Sequence, residues 1–184
     1  MSTDDGTTPP TEGPGAGEGA PPPATPKSPG WARRPGWRRI VLGVALGGLV
    51  LFGLIQLIPY GRAHNNPPVT GEPSWNTPQT RVLFQRACGD CHSNLTTWPW
   101  YSNVAPVSWL VTRDVDGGRS NLNVSEWNKP QEAGDVVDNI RSGEMPPFYY
   151  TWMHSGAKLT SAEQQALISG WQATMLRSPP SAGR

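Results

Sequence analysis

The sequence predicts an all-α protein in which one transmembrane helix near the N-terminus tethers a small helical domain. The first observation is an uncharged apolar run over residues 40–58, IVLGVALGGLVLFGLIQLI, in a chain of 184 residues. Its length matches the roughly 20 residues that a helix needs to cross the hydrocarbon of a bilayer. The second observation is a helical spacing of apolar side chains in three later segments, without the alternating pattern that strands require.

The N-terminal segment is too polar and too rich in proline and glycine to fold. Residues 1–30 contain 8 of the 21 prolines and 6 of the 21 glycines, and they have no large apolar side chain after Met1. Such a segment cannot bury enough surface to offset its chain entropy. We therefore predict that residues 1–39 form a disordered tail. It ends in a basic collar made by Arg33, Arg34, Arg38 and Arg39.

The charges that flank the apolar run predict its orientation. Four arginines precede it within residues 31–39, whereas only Arg62 follows it closely. The positive-inside rule places the arginine-rich end in the cytoplasm. Trp37 and Tyr60 flank the run, as interfacial aromatic side chains do. We predict a single-pass protein of the cytoplasmic membrane, with its N-terminus in the cytoplasm and residues 59–184 outside it.

A cleavable signal peptide is the alternative to an anchor, with Gly61-Arg62-Ala63 as its small-x-small cleavage site. The apolar run is longer than the roughly 7–15 residues of a signal peptide, so we favour an anchor. Gln56, near one end of the run, could reach the membrane interface with its amide. Residues 59–184 carry ten basic and ten acidic side chains, so we predict no nucleic-acid binding.

Three helices are predicted after the membrane segment, each with its own boundary signal. They cover Pro78–Arg86, Glu132–Ser142 and residues 160 to about 176. Pro78 follows Thr77 in the first turn of one helix, and Gly143 ends the next. Thr160 and Glu163 form a capping box that opens the last helix. The side chains expected to face the core are Val82, Leu83, Phe84, Val136, Val137, Ile140, Leu167, Ile168, Trp171 and Met175.

These elements divide the chain into five segments. They are a tail over 1–39, a transmembrane helix over 40–58, a linker over 59–76, a domain over 77–177 and a flexible tail over 178–184. The helix before residue 88 and the C-terminal helix are expected to pack on each other. The domain is long enough for a single small core.

The two cysteines carry the most specific chemical signal in the sequence. They lie as Cys88-Gly-Asp-Cys91-His92, the CxxCH signature of c-type haem attachment. Two thiols three positions apart on one turn can add to the two vinyl groups of a porphyrin edge. The histidine that follows can then bind the iron as the proximal ligand. We predict one covalent haem c, held by Cys88 and Cys91 and ligated by His92.

Three other interpretations of the cysteines are open, one of which is a chance CxxCH in an ordinary domain. A CxxC disulfide or redox pair would suit an oxidising compartment, but the βαβ context of a thioredoxin-like protein is missing. A structural zinc site needs four ligands, and only His64 and His154 remain to complete one, without zinc-like spacing. The motif lies in the segment predicted to be outside the cytoplasm, where c-type haem is attached. The predicted membrane topology and the predicted haem attachment are therefore consistent with each other.

The sixth iron ligand has several candidates. Met145 is held by Pro146 and Pro147, and proline limits the backbone freedom around its thioether, so we favour Met145. His154 is the alternative and would give a bis-histidine iron. Met153, His64 and an open site are further possibilities, although His64 lies in a Pro/Asn-rich segment that favours a solvated loop.

Aromatic side chains are unusually frequent for a small domain. Seven of the nine tryptophans lie within residues 59–184, and a large flat cofactor would account for part of this excess. The alternative is that they are ordinary core and surface residues. Trp98, Trp100 and Tyr101 come shortly after His92, so we predict that they pack on the proximal side of the pocket.

An ordered series of motifs over residues 66–171 carries a family resemblance. The motifs are Asn66-Pro-Pro-Val69, Cys88-Gly-Asp-Cys-His-Ser-Asn94, Trp98-Pro-Trp-Tyr101, Ala105-Pro-Val-Ser-Trp109, Asn121-Leu-Asn123 with Trp127, and Met145-Pro-Pro147 through Tyr150 to His154. Together they resemble the bacterial membrane-anchored haem-binding domain family. CxxCH, followed by Met145 and a capped terminal helix, also resembles class I cytochromes c. The resemblance implies a cytochrome c-like helical domain, with a longer insertion between His92 and Met145 than minimal cytochromes have.

These observations together predict a membrane-tethered monohaem cytochrome that carries single electrons and is not an enzyme. Its partners are expected to be the membrane and unidentified redox proteins. The alternative is a haem-based sensor or peroxidase-like protein with an open or displaceable sixth position, above which His154 or Tyr150 could donate a hydrogen bond. A structural haem in an assembly subunit is a weaker possibility.

Overall fold

The computed structural model describes residues 35–181. The predicted disorder of residues 1–34 and the last three residues of the predicted C-terminal tail lie outside this range. The chain divides into two compact units between Ala45 and Leu46, within the first helix. The remainder of that helix and the domain belong to the second unit.

The helix α1 spans Pro35–Ile55 and contains most of the predicted membrane segment, residues 40–55 of 40–58. Gly36–Ile55 is the stretch within residues 35–181 that is long and apolar enough to cross a bilayer, with a mean hydropathy of 1.9. The helix begins five residues earlier than the predicted segment, so Arg38 and Arg39 lie on its first turns rather than in the tail. It also ends three residues earlier, because the chain turns at Gln56.

The described part of the domain is helical and contains no strand, apart from one isolated parallel bridge between Gly71 and Glu126. Two 3-10 turns, Trp100–Asn103 and Ser155–Ala157, connect some of the helices. The helices are α2 (Pro78–Ala87), α3 (Gly89–His92), α4 (Val107–Asn121), α5 (Val136–Ser142), α6 (Phe148–Met153) and α7 (Ser161–Arg177).

The packing of α2 on α7, predicted from the sequence, forms the centre of the core. Phe84 of α2 stacks on Trp171 of α7, with ring centroids 5.3 Å apart and planes 11° from parallel. Gly170 lies against Thr80, which leaves no room for a larger side chain at this crossing. The buried residues of this core are Leu83, Phe84, Leu122, Val124, Trp127, Ala133, Ile140, Leu167 and Trp171.

The boundary signals of α2 and α7 act as the sequence predicts. The Thr77 hydroxyl accepts a hydrogen bond from the Thr80 backbone N–H, which caps α2. Thr160 and Glu163 form both bonds of the capping box at the start of α7. Gly143 ends α5 in the left-handed conformation, with a φ of 78°, which a glycine adopts without steric cost.

The helix α5 is four residues shorter than predicted, because tertiary contacts hold the backbone before it. The Glu132 N–H donates to the Asn121 carbonyl at 2.9 Å. The Ala133 carbonyl accepts a hydrogen bond from the Trp171 indole at 3.4 Å. These groups bond to other parts of the domain, so the helix begins at Val136.

The segment over residues 59–76 was predicted to be a linker, but parts of it pack on the domain. The Trp127 N–H donates to the Gly71 carbonyl at 3.0 Å. His64, predicted to be a solvated loop residue, stacks on Trp98 with ring centroids 4.6 Å apart and lies within 3.1 Å of the Ser102 carbonyl. The segment is therefore part of the folded unit.

Candidate functional site

The CxxCH motif lies where α2 turns into α3. The Cys88 N–H bonds to the Phe84 carbonyl at 2.8 Å, which completes the last turn of α2. The His92 N–H bonds to the Cys88 carbonyl at 2.9 Å, which closes the single turn of α3. This turn places Cys88, Cys91 and His92 in the wall of one cavity of about 500 Å³.

Met145 lies in the wall of the same cavity, together with Pro146 and Pro147. The Met145 N–H donates to the Asn139 carbonyl of α5 at 3.1 Å, which fixes the methionine relative to that helix. A second cavity of about 230 Å³ is also lined by Cys88, His92 and Met145. The structure therefore brings together the two cysteines, the histidine and the methionine that the sequence singled out.

The His92 ring is oriented by a backbone carbonyl that the motif does not include. Its Nδ1 atom lies 3.0 Å from the Leu122 carbonyl oxygen, which can only accept a hydrogen bond. Nδ1 therefore carries the proton, and Nε2 keeps its lone pair for a metal. Burial lowers the pKa of His92, which favours this neutral form. The His92 carbonyl accepts from the Val124 N–H at 3.0 Å, so both ends of the residue are held.

The two cysteine thiols are in an environment that keeps them protonated. Neither forms a disulfide. Burial raises the pKa of both Cys88 and Cys91 to about 12. Redox-active CxxC pairs depend on a thiol pKa lowered below its ordinary value. This environment therefore does not favour the alternative interpretation of the motif as a thiol redox pair.

The helix α4, which was not predicted, lines the same cavity as Met145, Pro146 and Pro147. Gly118 allows α4 to approach α3 closely, since a Cβ at this position would overlap the Cys91 carbonyl. Gly117, one residue earlier, has no other atom within 4 Å of the position a Cβ would occupy. Glycine at position 118 thus permits the close approach of α4 to Cys91.

The donor groups fit a haem. Within residues 35–181, no three or more His, Cys, Asp or Glu side chains are grouped to hold a bare metal ion. Two thiols, an imidazole whose Nδ1 bonds to the Leu122 carbonyl, and a thioether line one cavity instead. Cys88, Cys91 and His92 could therefore hold a haem through thioether bonds and a proximal ligand, with Met145 available to the iron.

His154 lies in a neighbouring cavity of about 180 Å³, which shares Cys91 and Tyr150 with the larger one. Its Nε2 is 3.0 Å from the Tyr101 hydroxyl, and its Nδ1 is 3.0 Å from the Tyr150 carbonyl. Both ring nitrogens thus have partners within the protein. Met153 lines this smaller cavity and does not line the cavity that contains His92.

The aromatic residues predicted to pack on the proximal side lie elsewhere. Trp98 stacks on His64 and donates its indole N–H to Asn66 at 3.1 Å, and Trp100 is 78% exposed. Tyr101 lines the smaller cavity with His154. None of these three lines either cavity that contains both His92 and Met145. The tryptophans that pack in or against the core are Trp75, Trp127 and Trp171.

Buried polar side chains hold the loop that follows His92, a role that was not predicted from the sequence. The Asn123 amide donates to the Asn94 side chain at 2.8 Å, and the Asn94 amide donates to the Pro68 carbonyl at 3.1 Å. The Arg119 guanidinium binds the Ser93 carbonyl at 2.9 Å. These contacts connect residues from several of the motifs that carried the resemblance. The asparagines of these motifs thus support the position of His92, whereas other motif residues, such as Met145 and Pro146, line the cavity.

Two tyrosine side chains in the segment after Met145 bond to carboxylates on α3 and α4. Tyr150 of α6 donates its hydroxyl to Asp90, within the CxxCH turn, at 2.7 Å. Burial and this bond raise the pKa of Tyr150 above its ordinary value, so the hydroxyl stays a donor. Tyr149 makes a longer and more exposed bond of 3.1 Å to Asp114 of α4. Neither contact was predicted from the sequence.

Comparison with known protein families gives one match. A family described as haem-binding domain matches residues 50–173, which contain the two cysteines, His92, Met145 and most of α7. No curated protein and no solved structure matches the chain. The matched residues cover about two thirds of the 184 in the sequence.

Proposed function

The chain belongs to the haem-binding domain family, and from that premise we propose that it is a membrane-anchored c-type cytochrome. It holds one covalent haem and carries single electrons outside the cytoplasm. The observation that carries this proposal is the hydrogen bond between His92 Nδ1 and the Leu122 carbonyl. His92 lines one cavity together with the two cysteines and Met145. This arrangement prepares an imidazole to bind iron next to two thiols.

Cys88 and Cys91 would attach the haem. Each thiol adds across one vinyl group, so that sulfur bonds to one vinyl carbon and the thiol hydrogen is transferred to the other. The addition consumes no oxidant and leaves two thioether bonds. Attachment at two points would hold the haem in the cavity lined by residues of α3, α4 and the loop over residues 145–147.

His92 and Met145 would bind the iron, which would supply one-electron exchange between its ferric and ferrous states. His92 donates from Nε2, and its hydrogen bond to Leu122 raises the basicity of the ring. Met145 offers a neutral thioether, which raises the reduction potential above that of a bis-histidine iron. We favour Met145 over His154 because both ring nitrogens of His154 have partners in the protein.

The helix α1 would confine the electron carrier to the surface of the cytoplasmic membrane. Arg38 and Arg39 lie on its first turns, and the positive-inside rule places that end in the cytoplasm. The domain then lies on the opposite side, where c-type haem is attached. Redox proteins in or beside the same membrane are the expected partners.

The test compares two variants of the full chain, produced in a host that attaches c-type haem. Met145→Ala should abolish the sulfur-to-iron absorption band of the oxidised protein and allow carbon monoxide to bind the reduced iron. His154→Ala, the matched control, should leave both properties unchanged. If the wild-type protein is high-spin and binds carbon monoxide, the carrier function fails and a sensor or catalyst is favoured. If no haem is attached, the c-type assignment fails.

A further inference from the structure

We propose that an aromatic face of the domain rests on the lipid headgroups beside the anchor. This aromatic face consists of Trp100, Val107, Leu110, Phe148 and Trp152. Trp100 is 78% exposed, Phe148 is 82% exposed and Trp152 is 81% exposed. The inference depends on the proposed membrane anchoring and adds a lipid-binding surface to it.

The domain is joined to the end of α1 by side-chain contacts as well as by the chain. Gln56, the first residue after α1, accepts a hydrogen bond from the Ala105 N–H and donates to the Ala105 carbonyl, both at 2.9 Å. The Thr112 hydroxyl donates to the Gly61 carbonyl at 3.2 Å. The start of α4 is therefore held against the residues at which the chain leaves the apolar helix.

The aromatic face is close to this junction. Val107 follows Ala105 by two residues and Trp100 precedes it by five, so their Cα atoms lie within about 7 Å and 18 Å of it. Leu110 is one helical turn further along α4. Trp152 of α6 lines the same cavity as Val107 and Leu110, which places α6 beside the first turns of α4.

The chemistry of the aromatic face favours a lipid interface. Tryptophan combines a large apolar ring with an N–H donor, and it is enriched at the headgroup level of membranes. Lys158 lines a surface depression with Phe148 and Trp152, so a cation is available to a lipid phosphate. Gln56 holds Ala105 at the end of the anchor. The aromatic face therefore lies next to the bilayer, and no partner protein is needed to cover it.

The test uses the full chain with 5-fluorotryptophan, reconstituted at one copy per lipid nanodisc. Fluorine resonances are assigned with single Trp→Phe variants. One sample contains lipids with a nitroxide near the headgroup, and another contains a soluble gadolinium chelate. Each spectrum is compared with one recorded without the agent, so any broadening by the haem cancels. Trp127 is 5% exposed and lies in the core, so it is the control for a residue shielded from both lipid and water.

We expect the lipid nitroxide to broaden Trp100 and Trp152 several-fold more than Trp127, and the soluble chelate to leave both nearly unchanged. Broadening of the two residues by the chelate alone would overturn the inference. Shielding from both agents would also overturn it, because protein rather than lipid would then cover the face. Trp37, in the first turn of α1, tests the anchor separately. If the nitroxide does not broaden Trp37, both the anchoring and the lipid contact fail.

Discussion

Replacing Tyr150 with phenylalanine removes a hydrogen bond that joins the two sides of the proposed haem site. Tyr150 follows Met145 by five residues and donates to the Asp90 carboxylate at 2.7 Å. Asp90 lies between the two cysteines, so this bond connects the methionine segment to the CxxCH turn. In the proposed haem site, displacement of Met145 from the iron would require that segment to move away. We therefore expect the bond to oppose the loss of the sixth ligand.

The size of the effect follows from the chemistry of the bond. A hydrogen bond to a charged group contributes about 1.5–3 kcal/mol to stability. Because Tyr150 is only half-buried, we take the lower end, about 1.5 kcal/mol, which corresponds to roughly a tenfold change in an equilibrium constant. Tyr150→Phe should therefore let a competing ligand displace Met145 at about one tenth of the wild-type concentration.

The assay is a titration of the oxidised full chain with imidazole, followed by the loss of the sulfur-to-iron absorption band. Tyr149→Phe is the matched control, because its bond to Asp114 is longer, at 3.1 Å, and more exposed. We expect that variant to change the apparent Kd by less than about threefold, as exposed contacts are weak. Equal imidazole affinity in Tyr150→Phe and wild type would refute the idea that the Tyr150–Asp90 bond retains Met145. An equal change of the apparent Kd in Tyr150→Phe and Tyr149→Phe would refute it as well.

Three further predictions concern packing, acid stability and haem attachment. Gly118→Ala places a Cβ against the Cys91 carbonyl and should destabilise the domain by about 1–3 kcal/mol, as measured by thermal melting. The control is Ser120→Ala on the exposed side of α4, which should change stability by less than about 0.5 kcal/mol. Equal melting temperatures of the two variants would contradict the close approach of α3 and α4. The Thr160 backbone N–H and Arg86 lower the pKa of Glu163 to about 2. The stability that Glu163 contributes is therefore complete above its ordinary pKa of about 4.5, and it is lost as the pH falls from 4.5 to about 2. Glu163→Gln should thus melt below wild type at pH 7 and close to it near pH 2, and a pH-independent difference would argue against this role. Cys88→Ala should leave a haem bound by one thioether, seen as a shift of the pyridine haemochrome band, and an unshifted band would show that Cys88 does not attach the haem.

Local signals made part of the fold predictable from the sequence. The Thr77 cap, the Thr160–Glu163 capping box and Gly143 each mark a helix end within a few residues, so α2, α7 and the end of α5 are confirmed. The helix α4 has no such signal. Pro106 at its N-terminus provides no side-chain cap, and Gly117 and Gly118 lower its helix propensity. It forms because it packs against α3, which is a tertiary effect.

The site was predictable where its chemistry is local and unpredictable where it depends on the fold. Cys88, Cys91 and His92 are adjacent in the sequence, and the prolines after Met145 single out that methionine. The carbonyl of Leu122 lies 30 residues from His92, and its role depends on the packing of the loop that carries it. Trp98 and Trp100 are near His92 in sequence but not on the cavity wall, since the chain turns away after Asn94.

The optical spectrum of the full chain, produced in a host that attaches c-type haem, tests the central claim most directly. It is recorded for the oxidised protein and for the reduced protein with and without carbon monoxide, after acid–acetone treatment has removed any haem that is not covalently bound. We expect a covalent, low-spin haem with a sulfur-to-iron band in the oxidised state and no change on addition of carbon monoxide. Extraction of all the haem would contradict its attachment at Cys88 and Cys91, and a high-spin iron that binds carbon monoxide would contradict ligation by Met145.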